Sequence, residues 1–107
     1  MMFCYCLIQE GRLSPEHVRR LEKGVENIVE KHLASDVRQS WHVIPKGNGW
    51  KAGEPSTASL VLITTPDVEQ DARVDLLHAI CDLWTDVTGC TADDIMISAP
   101  PLSSMVA

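Results

Sequence analysis

The sequence predicts an α/β fold in which two consecutive β-α-β units form a four-stranded mixed sheet with both helices on one face. Three observations predict it. A strand, helix, strand pattern occurs twice, over residues 2–45 and 58–98. The leading strand of each repeat is apolar on both faces, as expected of a strand with cover on two sides. Finally, a chain of 107 residues has the size of one domain, with a modest core, so that association with copies of itself would help to cover apolar surface. Residues 1–99 are read as that single domain and residues 100–107 as a C-terminal tail.

The first strand runs from Met2 to Ile8, with Met2, Cys4, Cys6 and Ile8 alternating with Phe3, Tyr5 and Leu7. Ser14 and Pro15 then start a helix, the serine suited to cap free amides and the proline to the first helical position. Val18, Leu21, Val25, Ile28 and Val29 recur at helical spacing, and Glu16, Arg19, Arg20, Glu22, Lys23 and Glu26 face away. A second strand spans Val37 to Ile44 and stops at Pro45. Lys46 to Ser59, rich in Gly, Pro, Ser and Thr, reads as a loop or irregular hairpin.

The second unit opens with an apolar strand over Ala58 to Thr64. Pro66 and Asp67 are expected to start its helix, with Gln70 closing a capping box on Asp67. Leu76, Leu77, Ile80, Leu83, Trp84 and Val87 form the expected buried stripe, and Gly89 the stop. Ile95 to Ser98 is a last short strand, and the tail from Pro100 is expected to be flexible. Two helices cover one sheet face only, so the other face predicts an oligomer.

Composition narrows the function. Fifteen acidic against nine basic residues give a net charge of −6 without a basic stripe, which argues against nucleic-acid binding. Apolar runs are too short for a membrane span, and no basic n-region or cleavage site marks a signal peptide, so a cytoplasmic location is expected. Cys4, Cys6, Cys81 and Cys90 show no metal or redox spacing and read as reduced, buried thiols, with a reactive thiol near a pocket as the alternative. His17, His32, His42 and His78 show no ligand spacing either. No metal and no cofactor is expected.

Two local patterns carry a resemblance. Ile8, Gln9, Glu10, Gly11, Arg12 resembles the opening of 4-oxalocrotonate tautomerase, and Trp41, His42, Val43, Ile44, Pro45 with Gly53, Glu54, Pro55, Ser56 resembles macrophage migration inhibitory factor. Together with the duplicated unit they make the chain similar to the tautomerase superfamily, including its cis-3-chloroacrylic acid dehalogenase-like members. The resemblance implies a homotrimer and a small carboxylate ligand. It also implies an N-terminal proline, exposed by removal of the initiator methionine, as the acid or base. The matching position holds Met2.

The remaining site residues follow from the same resemblance. Arg12 falls where an arginine grips the substrate carboxylate, a task that suits its planar fork. Arg38, or Gln39 by gapless counting, falls at a second arginine. Trp50 matches an aromatic lining the pocket, and Met96 and Ser98 match a tyrosine and an asparagine near it. The family's lysine after the first helix falls near Ala34, where Lys31 or His32 could substitute only by a backbone shift.

A buried proline amine reaches a near-neutral pKa because burial disfavours its charge. Met1, expected to be retained before so large a residue as Met2, puts its amine one residue beyond that place. An ordinary α-amine titrates near about 7.7–8.0, so the pair Met1 and Met2 takes the catalytic position in this reading. The implied activity is keto-enol tautomerisation or a related proton transfer on a 2-keto or enol acid. The alternatives are a non-catalytic trimer that binds a ligand, and one whose apolar face serves partner binding alone.

Overall fold

A computed structural model describes residues 1–104. In chain order it contains β1 (Met2–Gln9), α1 (Pro15–Leu33), β2 (Val37–Ile44), β3 (Trp50–Lys51), β4 (Glu54–Pro55), β5 (Ser59–Thr64), α2 (Gln70–Thr88) and β6 (Ile95–Ser98). The main sheet is mixed, in the order β2-β1-β5-β6, and β3 and β4 form a separate two-stranded ribbon. β1 pairs in parallel with β2 and antiparallel with β5, while β5 and β6 are parallel. The predicted pair of β-α-β units is therefore present, joined through the antiparallel contact of their leading strands.

Strand alternation decides what each face does. Met2, Cys4, Cys6 and Ile8 of β1 and Val61 and Ile63 of β5 are buried against Leu21, Val25 and Val29 of α1 and Leu76, Ile80 and Trp84 of α2. The opposite face keeps apolar side chains open in the single chain, with Tyr5, Leu60 and Met96 exposed. Trp84 stacks on Trp41 at 5.7 Å between ring centroids and 11° between planes. Among the described residues its enclosed Nε1–H has no partner, which costs about 1–3 kcal/mol. Burying the indole returns more, roughly 4–6 kcal/mol for its area, so the orphan donor is tolerated.

α1 starts as its sequence predicts. Ser14 Oγ accepts the His17 amide at 3.1 Å, His17 Nδ1 accepts the Ser14 amide at 3.3 Å, and Pro15 opens the first turn. α2 does not start where Pro66 and Asp67 suggest. It begins at Gln70 behind Glu69, which provides no side-chain cap, and Asp67 Oδ1 instead accepts from Ser103 Oγ at 3.1 Å. The cause is the return of the chain end to this corner. Thr65 N–H donates to Pro100 O, Leu102 N–H donates to Thr65 O, and Arg73 Nε donates to Ala99 O at 2.8 Å. Arg73 Nη2 adds a contact to Thr65 Oγ1. The expected tail thus begins with an anchored stretch through Ser104, and residues 105–107 lie outside the described residues. Gly89 ends α2 in the left-handed region, as predicted.

Cys4 and Cys6 share the buried face of β1, with their sulfurs 3.6 Å apart in a thiol hydrogen bond. That hydrogen bond, then burial, hold the Cys6 thiol far above its ordinary range. The folded chain therefore keeps a proton that the unfolded chain loses above about pH 8.5. Stability is fully present below that pH and falls as pH rises beyond it. Denaturant titrations between about pH 9 and 10 are expected to show a decline in unfolding free energy that is steeper in wild type than in Cys6→Ala by about 1.4 kcal/mol per pH unit. Equal slopes would contradict the assignment.

Candidate functional site

The outer sheet face is built in rows. Parallel and antiparallel register align His42, Leu7, Leu60 and Met96 in one row, Ser40, Tyr5, Leu62 and Ser98 in the next, and Arg38, Phe3 and Thr64 in the third. Rows are spaced by two residues, roughly 7 Å. Leu7, Leu60 and Met96 of the first row floor a cavity of about 510 Å³ whose far wall is Trp50 and Lys51 of the ribbon. Leu7, Ile44, Leu60 and Met96 meet Trp50 across it, and Gln9, Asn48, Lys51, Ser56 and Asp93 supply its polar atoms. An apolar concavity with a few convergent polar groups is the usual form of a small-molecule site.

Local chemistry places the ribbon. Trp50 pairs with Pro55 and Lys51 with Glu54, so the turn has two residues, Ala52 at φ 52° and Gly53 at φ 80°. Positive φ at both positions matches the twist of a tight hairpin, and glycine takes it without strain. Gly49 answers a different need. A Cβ there would lie 2.4 Å from Gln9 Nε2 and 2.6 Å from the Ser56 carbonyl oxygen, so only glycine lets the ribbon approach the end of β1. Trp50 Nε1 donates to Gly47 O at 3.1 Å and Lys51 Nζ to Asp93 O at 3.3 Å. These tie the ribbon to its own loop and to the turn before β6.

The residues singled out in the sequence are dispersed. Trp50 and Met96 share the outer-face cavity. Arg12 does not line it. Arg12 borders a groove of about 650 Å³ behind Gln9 and Gly49, together with Lys46, and a smaller polar cavity beside Trp84. Ser98 stands one row from the cavity floor and Arg38 two rows, roughly 13 Å along the strands. Between Arg38 and Gln39 the choice of face is settled, because Gln39 Nε2 donates to Glu22 O of α1 at 2.8 Å and leaves Arg38 on the outer side.

The N-terminal end of β1 has the opposite character. Met2 is buried beneath the helices, and its amide donates to Asp36 O at 3.0 Å. Met1 is exposed and borders a depression shared with Glu26, Glu30 and Asp36. Glu30 and Asp36 disfavour an anionic substrate there by Coulomb repulsion, while Glu26 is paired with Lys23. Seven steps of β1 put this end roughly 23 Å from Gln9, so within one chain neither Arg12 nor the outer-face cavity can share a substrate with Met1. Among the described residues no group of His, Cys, Asp and Glu could hold a metal ion, and no helix is long and apolar enough to cross a membrane.

Sequence reasoning missed Gln9, Lys51 and Asp93 as cavity residues. Gln9 carried only a weak signal, a polar residue ending an apolar strand: its register is that of the outer face, and it is buried where Gly49 closes over it. Lys51 sits in a two-residue strand and Asp93 in a single 3-10 turn, both too short for periodicity to assign a direction. The exposure of the three tryptophans supplies a check. Trp50 is 63% exposed, while Trp84 is buried and Trp41 is stacked on it. Trp50→Phe is expected to remove most acrylamide-quenchable fluorescence and leave a blue-shifted emission; unchanged quenching would contradict the placement of the ribbon.

No protein-family profile and no curated protein sequence matches the chain. Solved structures do match in fold. A fused 4-OT, a wild-type symmetric trimer, is 16% identical with a TM-score of 0.85, over 94% of this chain and 85% of that one. A member of the cis-3-chloroacrylic acid dehalogenase family is 14% identical with a TM-score of 0.77, over 98% and 79%. A macrophage migration inhibitory factor-like protein from Entamoeba histolytica is 10% identical with a TM-score of 0.76, over 94% and 88%. At these identities the likeness is one of fold: this chain has the fold of these three solved structures, and its sequence opens on Met1 and Met2.

Proposed function

We propose that this protein binds a small carboxylate with an apolar body in the outer-face cavity, as a homotrimer of the tautomerase fold without the proline base. The observation that carries the reading is the cavity itself, with Leu7, Leu60, Trp50 and Met96 as apolar walls and the Lys51 ammonium as its cation. A charge-assisted hydrogen bond from that ammonium suits a carboxylate, and the apolar walls suit the rest of the molecule. The trimer is supported by the uncovered apolar outer face near Tyr5 and Leu60 and by the trimeric fused 4-OT of the same fold.

A second reading, keto-enol proton transfer on a 2-keto or enol acid, is favoured by one observation. The Met1 end of the chain is exposed, so its amine is accessible to substrate. Because β1 holds Met1 and Arg12 at opposite ends, that chemistry requires Arg12 of one copy to reach the Met1 end of another.

Phenylpyruvate separates the two. Titration followed by Trp50 fluorescence is expected to saturate, Lys51→Gln is expected to weaken binding roughly five- to tenfold, and ketonisation of phenylenolpyruvate is expected to run at the buffer rate. Turnover above buffer that disappears in Arg12→Ala supports the second reading instead. Absence of saturable binding at millimolar ligand overturns the first.

A further inference from the structure

The four strands of the main sheet contain neither aspartate nor glutamate, although the chain has fifteen acidic residues and a net charge of −6. Register puts three titratable side chains of these strands on the outer face, Tyr5 of β1 and Arg38 and His42 of β2, while Cys4 and Cys6 are buried on the helix side. The helices are the reverse. Glu16, Glu22, Glu26 and Glu30 are exposed on α1, and α2 carries a comparable set of exposed aspartates. Two copies that meet helix to helix bring carboxylates together, whereas two that meet sheet face to sheet face bring none. That face also exposes the apolar surface of Tyr5, Leu60 and Met96, so a second copy of this chain is the occupant it suits.

His42 is exposed at the β2 end of the first row, in register with Leu7 and outside the lining of the cavity. Ser40 Oγ lies 2.9 Å from its Nε2. A hydroxyl both donates and accepts, so Ser40 serves the neutral ring and the imidazolium alike. α1 approaches β2 from the other side, where Gln39 donates to Glu22 O. Tyr5 on β1 and Arg38 on β2 are the other titratable groups of the outer face, and β5 and β6 add none, so no carboxylate of this face compensates a charge at His42.

We infer that the outer sheet face is a self-association surface gated by His42, closing on the same face of another copy while the imidazole is neutral and opening when it is protonated. This rests on the oligomer proposed above and adds its regulation. Covering the neutral ring removes apolar area from water, but covering the imidazolium desolvates a charge that has no acid to receive it. An imidazole ordinarily titrates near about 6.5. Association is therefore fully present well above that pH and weakens as pH falls through it. Arg38 is charged throughout and opposes association equally at every pH.

Sedimentation of the full chain over a dilution series, at about pH 7.5 and about pH 5.5, tests the gate. The concentration at which half the chains are assembled is expected to rise at least about tenfold at the lower pH. His42→Gln, neutral at both, is expected to show no such rise. A wild-type measurement stands independently of the variant's folding: the His42 ring-proton resonance is expected to titrate at lower pH in a concentrated, assembled sample than in a dilute one. Equal assembly at the two pH values, tighter assembly in acid, or a pH dependence that survives in His42→Gln overturns the inference alone. A monomer at millimolar concentration and about pH 7.5 overturns the oligomer and the gate together.

Discussion

Everything in this fold depends on the alternation of β1. As an interior strand with a partner on each side, it commits every residue to one of two environments. Its even-numbered side chains from Met2 to Ile8 lie under both helices, and Leu7 on the other face helps to floor the cavity. A slip of one residue would exchange the two sets and put Tyr5 and Leu7 into a core shaped for Cys4 and Cys6. α1 and α2 also come close to each other, where Gly24 and Leu83 leave no room for an added methyl without movement of the leucine.

The same strand also separates charge. Its start borders Glu26, Glu30 and Asp36, and its end leads to Arg12, Lys46 and Lys51. In a chain with a net charge of −6, these cations stand among acids as well, Glu10 beside Arg12 and Lys46 and Asp93 beside Lys51, so the ribbon end is the less acidic of the two. Among the described residues the ion pairs are both on the surface of α1, Arg19 with Glu16 and Lys23 with Glu26, so none of these three cations is neutralised within the chain. Exposed pairs of that kind contribute little stability. The charges at the ribbon are better understood through what they attract.

Much of the architecture was legible because it follows from period. Helical spacing over Leu21, Val25 and Val29, the Ser14–Pro15 start, the Gly89 stop and the two-faced apolar strands each have one physical solution. The start of α2 was less legible, because Asp67 had a competing partner, Ser103, that is distant in sequence. The site was harder still. Trp50 and Met96 were identified through resemblance and do share a cavity, but Arg12, Arg38, Ser98 and Met1 are distributed over other surfaces of the chain. Which side chains converge depends on the ribbon folding back over β1, and that approach is controlled by Gly49 against Gln9 and Ser56, a tertiary contact that no local pattern encodes.

The central claim is that ligand recognition sits at the ribbon end of β1, away from the N-terminal amine. Chemical-shift mapping of phenylpyruvate on the full-length chain tests it most directly. The account predicts shifts centred on the Trp50 indole, Leu7, Leu60 and Met96, with the Met1, Glu26 and Asp36 signals unmoved. Shifts centred on Met1 and Asp36, with Trp50 unaffected, would contradict it.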